Sequence, residues 1–309
     1  MDQTYTPREA GAAAKATTAR PDVTVFFDQR TFSAQYVVAD PATGKCAIID
    51  PVLDFDEKSG STSTENADRL LAFVAGNGLE LEWILDTHPH ADHFSAASYL
   101  KEKTGRPIAI GERVIEVQKL WKTIYNWPEF KADGSQWDRL FADGDTFTIG
   151  SLPARVMFSP GHTLASITYV IGDAAFVHDT LFMPDSGTAR CDFPGGSAER
   201  LWKSIQDILS LPDETRIFVG HDYQPGGREP RFESTVAEQK ASNTHMSKCE
   251  TEADFVAVRE ARDRTLPMPK LILHALQVNM NAGQLPAPET NGKRYLKFPL
   301  NALEGASWG

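Results

Sequence analysis

Thr87-His88-Pro89-His90-Ala91-Asp92-His93 places three imidazoles and a carboxylate within six positions, directly after the apolar run Leu81-Glu82-Trp83-Ile84-Leu85. The run reads as a buried strand, and Phe94-Ser95-Ala96-Ala97-Ser98-Tyr99-Leu100 reads as the start of a helix. The polar residues therefore fall on a strand-to-helix turn, held by rigid elements on both sides. Imidazole and carboxylate are the borderline and hard donors that zinc and iron accept. The stretch reads as a metal loop.

Working outward, residues 23–27 and 32–38 are β-branched or aromatic, and Asp40-Pro41-Ala42-Thr43-Gly44 turns the chain into Cys46-Ala47-Ile48-Ile49-Asp50. Antiparallel strands opening a sheet are expected there. Ala67, Leu70, Leu71 and Val74 recur at the spacing of one helix face, which Gly76 and Gly78 terminate. Past the loop helix, Gly105-Arg106-Pro107 leads to a short strand at 108–110. Residues 112–141 carry Trp121, Tyr125, Trp127 and Trp137 without a clear period. They either cover the site from one side or pack on the surface of an insertion. Asp143-Gly144-Asp145 marks a turn before a strand at 146–149.

A second half repeats the pattern, with strands expected at 154–158, 166–171 and 174–182. Ser197 is placed to cap a helix whose apolar face is Leu201, Ile205, Ile208 and Leu209. A last strand at 216–219 precedes a polar helix over 234–246. Two similar strand-and-helix halves predict an α/β fold, with two sheets sandwiched between helices. Residues 1–22, rich in Ala and Thr, are expected to be a disordered tail. Residues 23–309 are expected to form one domain with a C-terminal extension from about 247.

Composition narrows the function. Of 309 residues 41% are hydrophobic and 24% charged, as in ordinary globular chains. A formal charge of −11 argues against a nucleic-acid surface, which needs clustered Lys and Arg. No apolar run approaches the ~20 residues that span a bilayer. Cys46, Cys191 and Cys249 form no C-x-x-C pair, which fits a reducing compartment and a cytoplasmic location.

Five of the eight histidines sit at strand-end corners: His88, His90 and His93 in the loop, His162 in Ser159-Pro160-Gly161-His162-Thr163, and His221 in Gly220-His221-Asp222-Tyr223. Asp92 and Asp179 accompany them. Two occupancies are sensible. In a dinuclear site His88, His90 and His162 bind one ion and Asp92, His93 and His221 the other, bridged by Asp179; two zinc or mixed ions then hold hydroxide and polarise a carbonyl. In a mononuclear site two histidines and one carboxylate hold Fe(II) and leave open positions for substrate and O2.

This ordered set resembles the metallo-β-lactamase superfamily over residues 23–223, which implies an αββα sandwich of two mixed sheets flanked by helices. Asp185-Ser186-Gly187-Thr188-Ala189-Arg190-Cys191-Asp192-Phe193, and His221-Asp222-Tyr223 followed by Ser234-Thr235-Val236 and Asn243, resemble persulfide dioxygenases of the ethylmalonic-encephalopathy type. That resemblance implies one Fe(II) held by His88, His162 and Asp179, with His90, Asp92, His93 and His221 as hydrogen-bonded support or a second metal. It implies oxidation of glutathione persulfide by O2 to sulfite and glutathione. Asp92, Asp179 and Tyr223 are then the catalytic candidates, and Arg190 and Tyr223 the substrate contacts. For Arg190 the plainer reading is an ion pair with Asp192; for Tyr223 it is a core residue with a satisfied hydroxyl. The alternative is a dinuclear hydrolase of thioesters, hydroxyacylglutathione among them, or of lactones. His178 is expected to point away from Asp179 along the strand. Cys191 reads as a small buried residue, with a sulfur-transfer role as the sharper option. The resemblance is compatible with a homodimer and implies neither nucleic acid nor membrane as partner.

Overall fold

The computed structural model describes residues 19–303. Most of the expected tail lies outside them. Its last residues are held in place: the Ala19 carbonyl accepts from Asp173 N–H, the Pro21 carbonyl accepts from Arg216, and Asp22 already opens the first strand.

The first half runs β1 Asp22–Asp28, β2 Ser33–Ala39, β3 Lys45–Ile49, β4 Val52–Asp56, β5 Ser61–Ser63, α1 Glu65–Gly76, β6 Glu80–Leu85, β7 Phe94–Ser95, α2 Ala97–Thr104, β8 Ile108–Gly111, α3 Val114–Ile124 and β9 Arg139–Phe141. The second runs β10 Thr146–Ile149, β11 Leu152–Phe158, β12 Ile167–Ile171, β13 Ala174–His178, α4 Ala198–Leu209, β14 Arg216–Val219, β15 Glu233–Thr235, α5 Val236–Ser242, α6 Glu252–Asp263 and α7 Ile272–Asn279.

Two six-stranded mixed sheets result, ordered β1-β2-β3-β6-β8-β9 and β10-β11-β12-β13-β14-β15. Strand alternation explains why both faces of each are apolar. Tyr36 and Val38 of β2 join Ala174 and Phe176 of β13 in the core between the sheets. Val37 and Ala39 face outward onto α1, α2, α3 and α7, while Ala175 and Val177 face outward onto α4, α5 and α6. Three apolar layers between four structural layers make the αββα sandwich.

Several expected boundaries move, for identifiable reasons. The helix after the metal loop begins at Ala97, because Phe94 and Ser95 pair with Leu53 and Val52 and Phe55 stacks on Phe94 at 4.3 Å. The strand expected over 174–182 stops at His178, whose φ of 41° breaks the extended backbone. The polar helix is shorter than 234–246: β15 takes its start, and Thr235 and Glu238 form a capping box into α5. Residues 112–141 do contain a period. Val114, Val117, Gln118 and Trp121 form the buried stripe of α3, disguised by a glutamine that donates to the Met280 carbonyl and accepts from Gly134 N–H. Trp121, Tyr125 and Trp137 are core residues outside the first sheet.

Candidate metal centre

The site lies where several strands end at one edge of the sandwich. The loop after β6 carries His88, His90, Asp92 and His93; the corner between β11 and β12 carries His162; β13 ends into Asp179 and β14 into His221. Each corner needs close approach. A Cβ on Gly161, at φ +143°, would strike the Leu201 backbone at 2.4 Å, and one on Gly220 would meet Asp179 Oδ1 at 2.7 Å.

His88, His162 and Asp179 each bring a donor atom within 4.8 Å of the other two. His88 Nε2 lies 3.9 Å and His162 Nε2 3.5 Å from Asp179 Oδ2. Asp92, Asp179 and His221 form a second cluster, with His221 Nε2 3.3 Å from Asp92 Oδ2 and 3.4 Å from Asp179 Oδ2. His90, Asp92 and His93 also converge. On its other side His90 joins Asp50 and Asp86, its Nε2 3.0 Å from Asp50 Oδ1.

Unused polar atoms test whether these residues suit a metal. His88 Nε2, His93 Nε2 and Asp179 Oδ1 are buried without a hydrogen-bond partner among the described residues. Such groups are costly unless something binds them. The opposite ring nitrogens are engaged. His162 Nδ1 donates to the Arg190 carbonyl at 2.8 Å and His221 Nδ1 to the Phe32 carbonyl at 3.0 Å. Thr87 Oγ1 donates to Asp50, so it accepts from His88 Nδ1 at 3.1 Å. These bonds leave each Nε2 lone pair facing inward, the tautomer a metal requires. Burial and the His90, His178 and His162 rings hold the His88 pKa well below its usual value, and burial lowers that of His162. Burial raises the Asp179 carboxyl, but His221 and His162 outweigh it and leave it at about 2. Lowered imidazole pKa values at His88 and His162 beside an ionised Asp179 make a cation's donor set, and this triad fits a metal.

Other predicted residues find different roles. Arg190 donates to both Asp192 oxygens at 2.7 Å and to the Pro267 carbonyl at 2.6 Å, and lies over the Phe193 ring. Its guanidinium is committed within the protein, and it is the Arg190 backbone carbonyl that serves the metal centre. Tyr223 is 51% exposed and stacks on His221 with centroids 5.6 Å apart, between Phe32 and Phe182. It is a rim residue, not a core one. His178 does not point clear of the site: its ring packs 5.1 Å from His88, while Nε2 meets Ser159 and Thr180. It buttresses a ligand. Cys191 is buried against Asp263, and burial with that carboxylate pushes its thiol pKa up, the opposite of what a nucleophile needs.

Four supports escaped the sequence reading. Phe32, at φ 58°, turns its carbonyl to His221. Ser33 Oγ reaches Asp92 at 3.0 Å and His93 at 3.1 Å. Asp50 accepts from Thr87 N–H and Oγ1, and Arg228 clamps Asp222 to Asp185. None belongs to a local motif. Only Asp50, at the end of a predicted strand, carried a hint.

An αββα sandwich with a buried His and Asp centre at its strand ends is the scaffold of a metal-dependent enzyme. This chain belongs to the metallo-beta-lactamase superfamily, whose pattern matches residues 29–221. It is 73% identical over 288 residues to a beta-lactamase hydrolase-like protein of Xylella fastidiosa (strain 9a5c), covering 93% of this chain and 67% of that one. The chain thus spans about two thirds of that relative's length. It is 29% identical over 261 residues to the mitochondrial persulfide dioxygenase ETHE1 of Bos taurus, covering 83% and 87% of the two chains. The crystal structure of ETHE1 from Myxococcus xanthus superposes with a TM-score of 0.68 at 31% identity, covering 85% of this chain and all of that one. No helix among the described residues is long and apolar enough to cross a membrane.

Proposed function

We propose that the protein is a mononuclear iron dioxygenase that oxidises glutathione persulfide with O2 to sulfite and glutathione. The observation that carries this reading is the triad His88, His162 and Asp179, which converges without His90. The dinuclear arrangement would add His90 to that triad; its ring lies 4.1 Å from that of His88, but its Nε2 is 3.0 Å from Asp50 Oδ1. The likeness to proteins named ETHE1 supports it. In the net change persulfide, O2 and water give thiol, sulfite and two protons, so the terminal sulfur is oxidised, O2 is reduced, and the sulfur–sulfur bond breaks.

Fe(II), when bound, supplies the electron transfer with O2 that side chains lack. The protein's part is positional. His88, His162 and Asp179 would hold the ion, and a site of two histidines and one carboxylate would leave positions for reactants. Tyr223, exposed beside His221, presents its hydroxyl at the rim, where it can donate to the substrate. Arg190, held by Asp192, shapes the corner under His162 instead of gripping a substrate carboxylate.

A second reading has its own observation. Asp92, Asp179 and His221 also converge, which suits a second ion and a dinuclear hydrolase of thioesters or lactones. Oxygen uptake by the anaerobically iron-loaded protein, on adding glutathione persulfide with sulfite assayed in the same vessel, separates the two. One sulfite per O2 is expected. No uptake at full iron content would overturn the dioxygenase and send the zinc-loaded protein to a thioester and lactone screen.

A further inference from the structure

The metal loop has no scaffold of its own. Among the described residues, His88 to His93 take part in no backbone–backbone hydrogen bond, although most of these residues are buried. Buried carbonyls of that kind need side chains or ordered water as partners. At the start of the loop Asp50 holds Thr87 N–H at 2.7 Å and Thr87 Oγ1 at 2.8 Å. At its end the partner comes from far along the chain. Asn279, the last residue of α7, donates through Nδ2 to the carbonyls of His90 at 2.8 Å and His93 at 2.7 Å, and accepts through Oδ1 from Ser95 N–H at 2.8 Å. Both amide hydrogens and the amide oxygen are engaged in a side chain only 2% exposed.

The segment behind Asn279 is pressed onto the same region. Gln118 donates to the Met280 carbonyl and Ser98 Oγ to the Ala282 carbonyl. Ala282 and Gly283 turn at φ 56° and 77°, and a Cβ on Gly283 would meet the Ser95 carbonyl at 2.3 Å. This turn allows no slack between α7 and the end of the loop.

We propose that Asn279 is a positioning residue of the metal centre: with Asp50 at the other end, its amide fixes the backbone from which His88, His90, Asp92 and His93 project. The C-terminal extension is then part of the metal site, although it supplies no ligand. This rests on the metal-centre reading alone and is independent of whether the reaction is oxidation or hydrolysis.

Zinc affinity of the full chain, measured by chelator competition, tests it together with the visible spectrum of the cobalt(II)-substituted protein. Asn279→Asp keeps the shape and the acceptor but sets an oxygen against two carbonyls. Loss of a ligand's supporting partner typically weakens metal binding ~10–100-fold, and that loss is expected, with a shifted cobalt spectrum. Gln277→Leu is the control. It removes the bonds that Gln277, in the same helix, makes to Leu273 and to Lys297 beyond the helix, without touching the loop. Its zinc affinity should stay within about twofold of the unaltered protein, as expected of a change that leaves the ligands' supports intact. Wild-type zinc affinity and cobalt spectrum in Asn279→Asp would overturn the proposal, as would losses no greater than those of Gln277→Leu at equal thermal stability. Asn279→Ala serves if the aspartate variant does not fold. Hydrogen exchange of the unaltered chain gives a mutation-free check. Zinc should slow the amides of residues 276–283 together with those of Phe94 and Ser95, and slowing at Phe94 and Ser95 alone would overturn the link.

Discussion

His221 shows how a single residue separates the two metal readings. Its Nε2 lies between Asp92 and Asp179, and burial lowers its pKa while those two carboxylates raise it further, well above the usual value. It belongs to the second cluster, not to the triad of His88, His162 and Asp179. His221→Ala should therefore keep about one iron per chain by elemental analysis, since two histidines and a carboxylate suffice for a mononuclear site. Loss of all iron would contradict the mononuclear assignment. All seven ligand-type residues were legible in the sequence because imidazoles and carboxylates at strand ends are conspicuous by type. Their supports were not. Phe32, Ser33 and Asn279 act through carbonyls, hydroxyls and amides that every such residue has, and only folding reveals which of them face a ligand.

At the scale of elements, α4 shows why the Pro-Gly-His corner has its sequence. Ser197 caps α4 by accepting from Arg200 N–H, and the Leu201 backbone then lies against Gly161 so closely that no side chain fits. Ser204 Oγ donates to the Pro160 carbonyl at 2.6 Å, tying the same corner to the helix. Gly161→Ala must move either α4 or His162. It should cost about 1–3 kcal/mol, the range for overpacking a tight contact, in urea denaturation. Metal content should fall in parallel, and an alanine variant with normal stability and full metal would refute the account. Elements with strong periods, such as α1 and α4, were readable because packing and propensity agree in them. The helix α3 was not, because Gln118 interrupts its stripe for the sake of a distant carbonyl. The extent of β13 was missed because a positive φ at His178, a tertiary requirement, ends a run that still looks like strand.

Across the whole molecule the two sheets are joined at one end by Asp40, in the turn after β2. Its Oδ2 accepts from Ser151 N–H, Ser151 Oγ and Thr43 Oγ1, and its Oδ1 from Ala42 N–H. Burial raises this carboxyl, but those hydrogen bonds outweigh it and hold the pKa at about 2. A carboxylate with a depressed folded-state pKa stabilises fully above its unfolded value near 3.9, and that contribution is lost as pH falls through the folded value. Asp40→Asn should thus lower the urea midpoint at pH 7 and flatten its decline between about pH 4 and 2. Parallel pH profiles for the two proteins would remove Asp40 from this role. By itself the sequence determined the kinds of residue at each strand end, the two-halved α/β pattern and the metal chemistry those donors allow, because donor type and apolar period are local properties. Only the tertiary structure decided that His90 turns to Asp50, that Asp192 occupies Arg190, and that an asparagine 186 residues beyond His93 holds the metal loop in shape. Those outcomes depend on which distant groups compete for the same buried hydrogen bonds, and that competition exists only once the chain has folded.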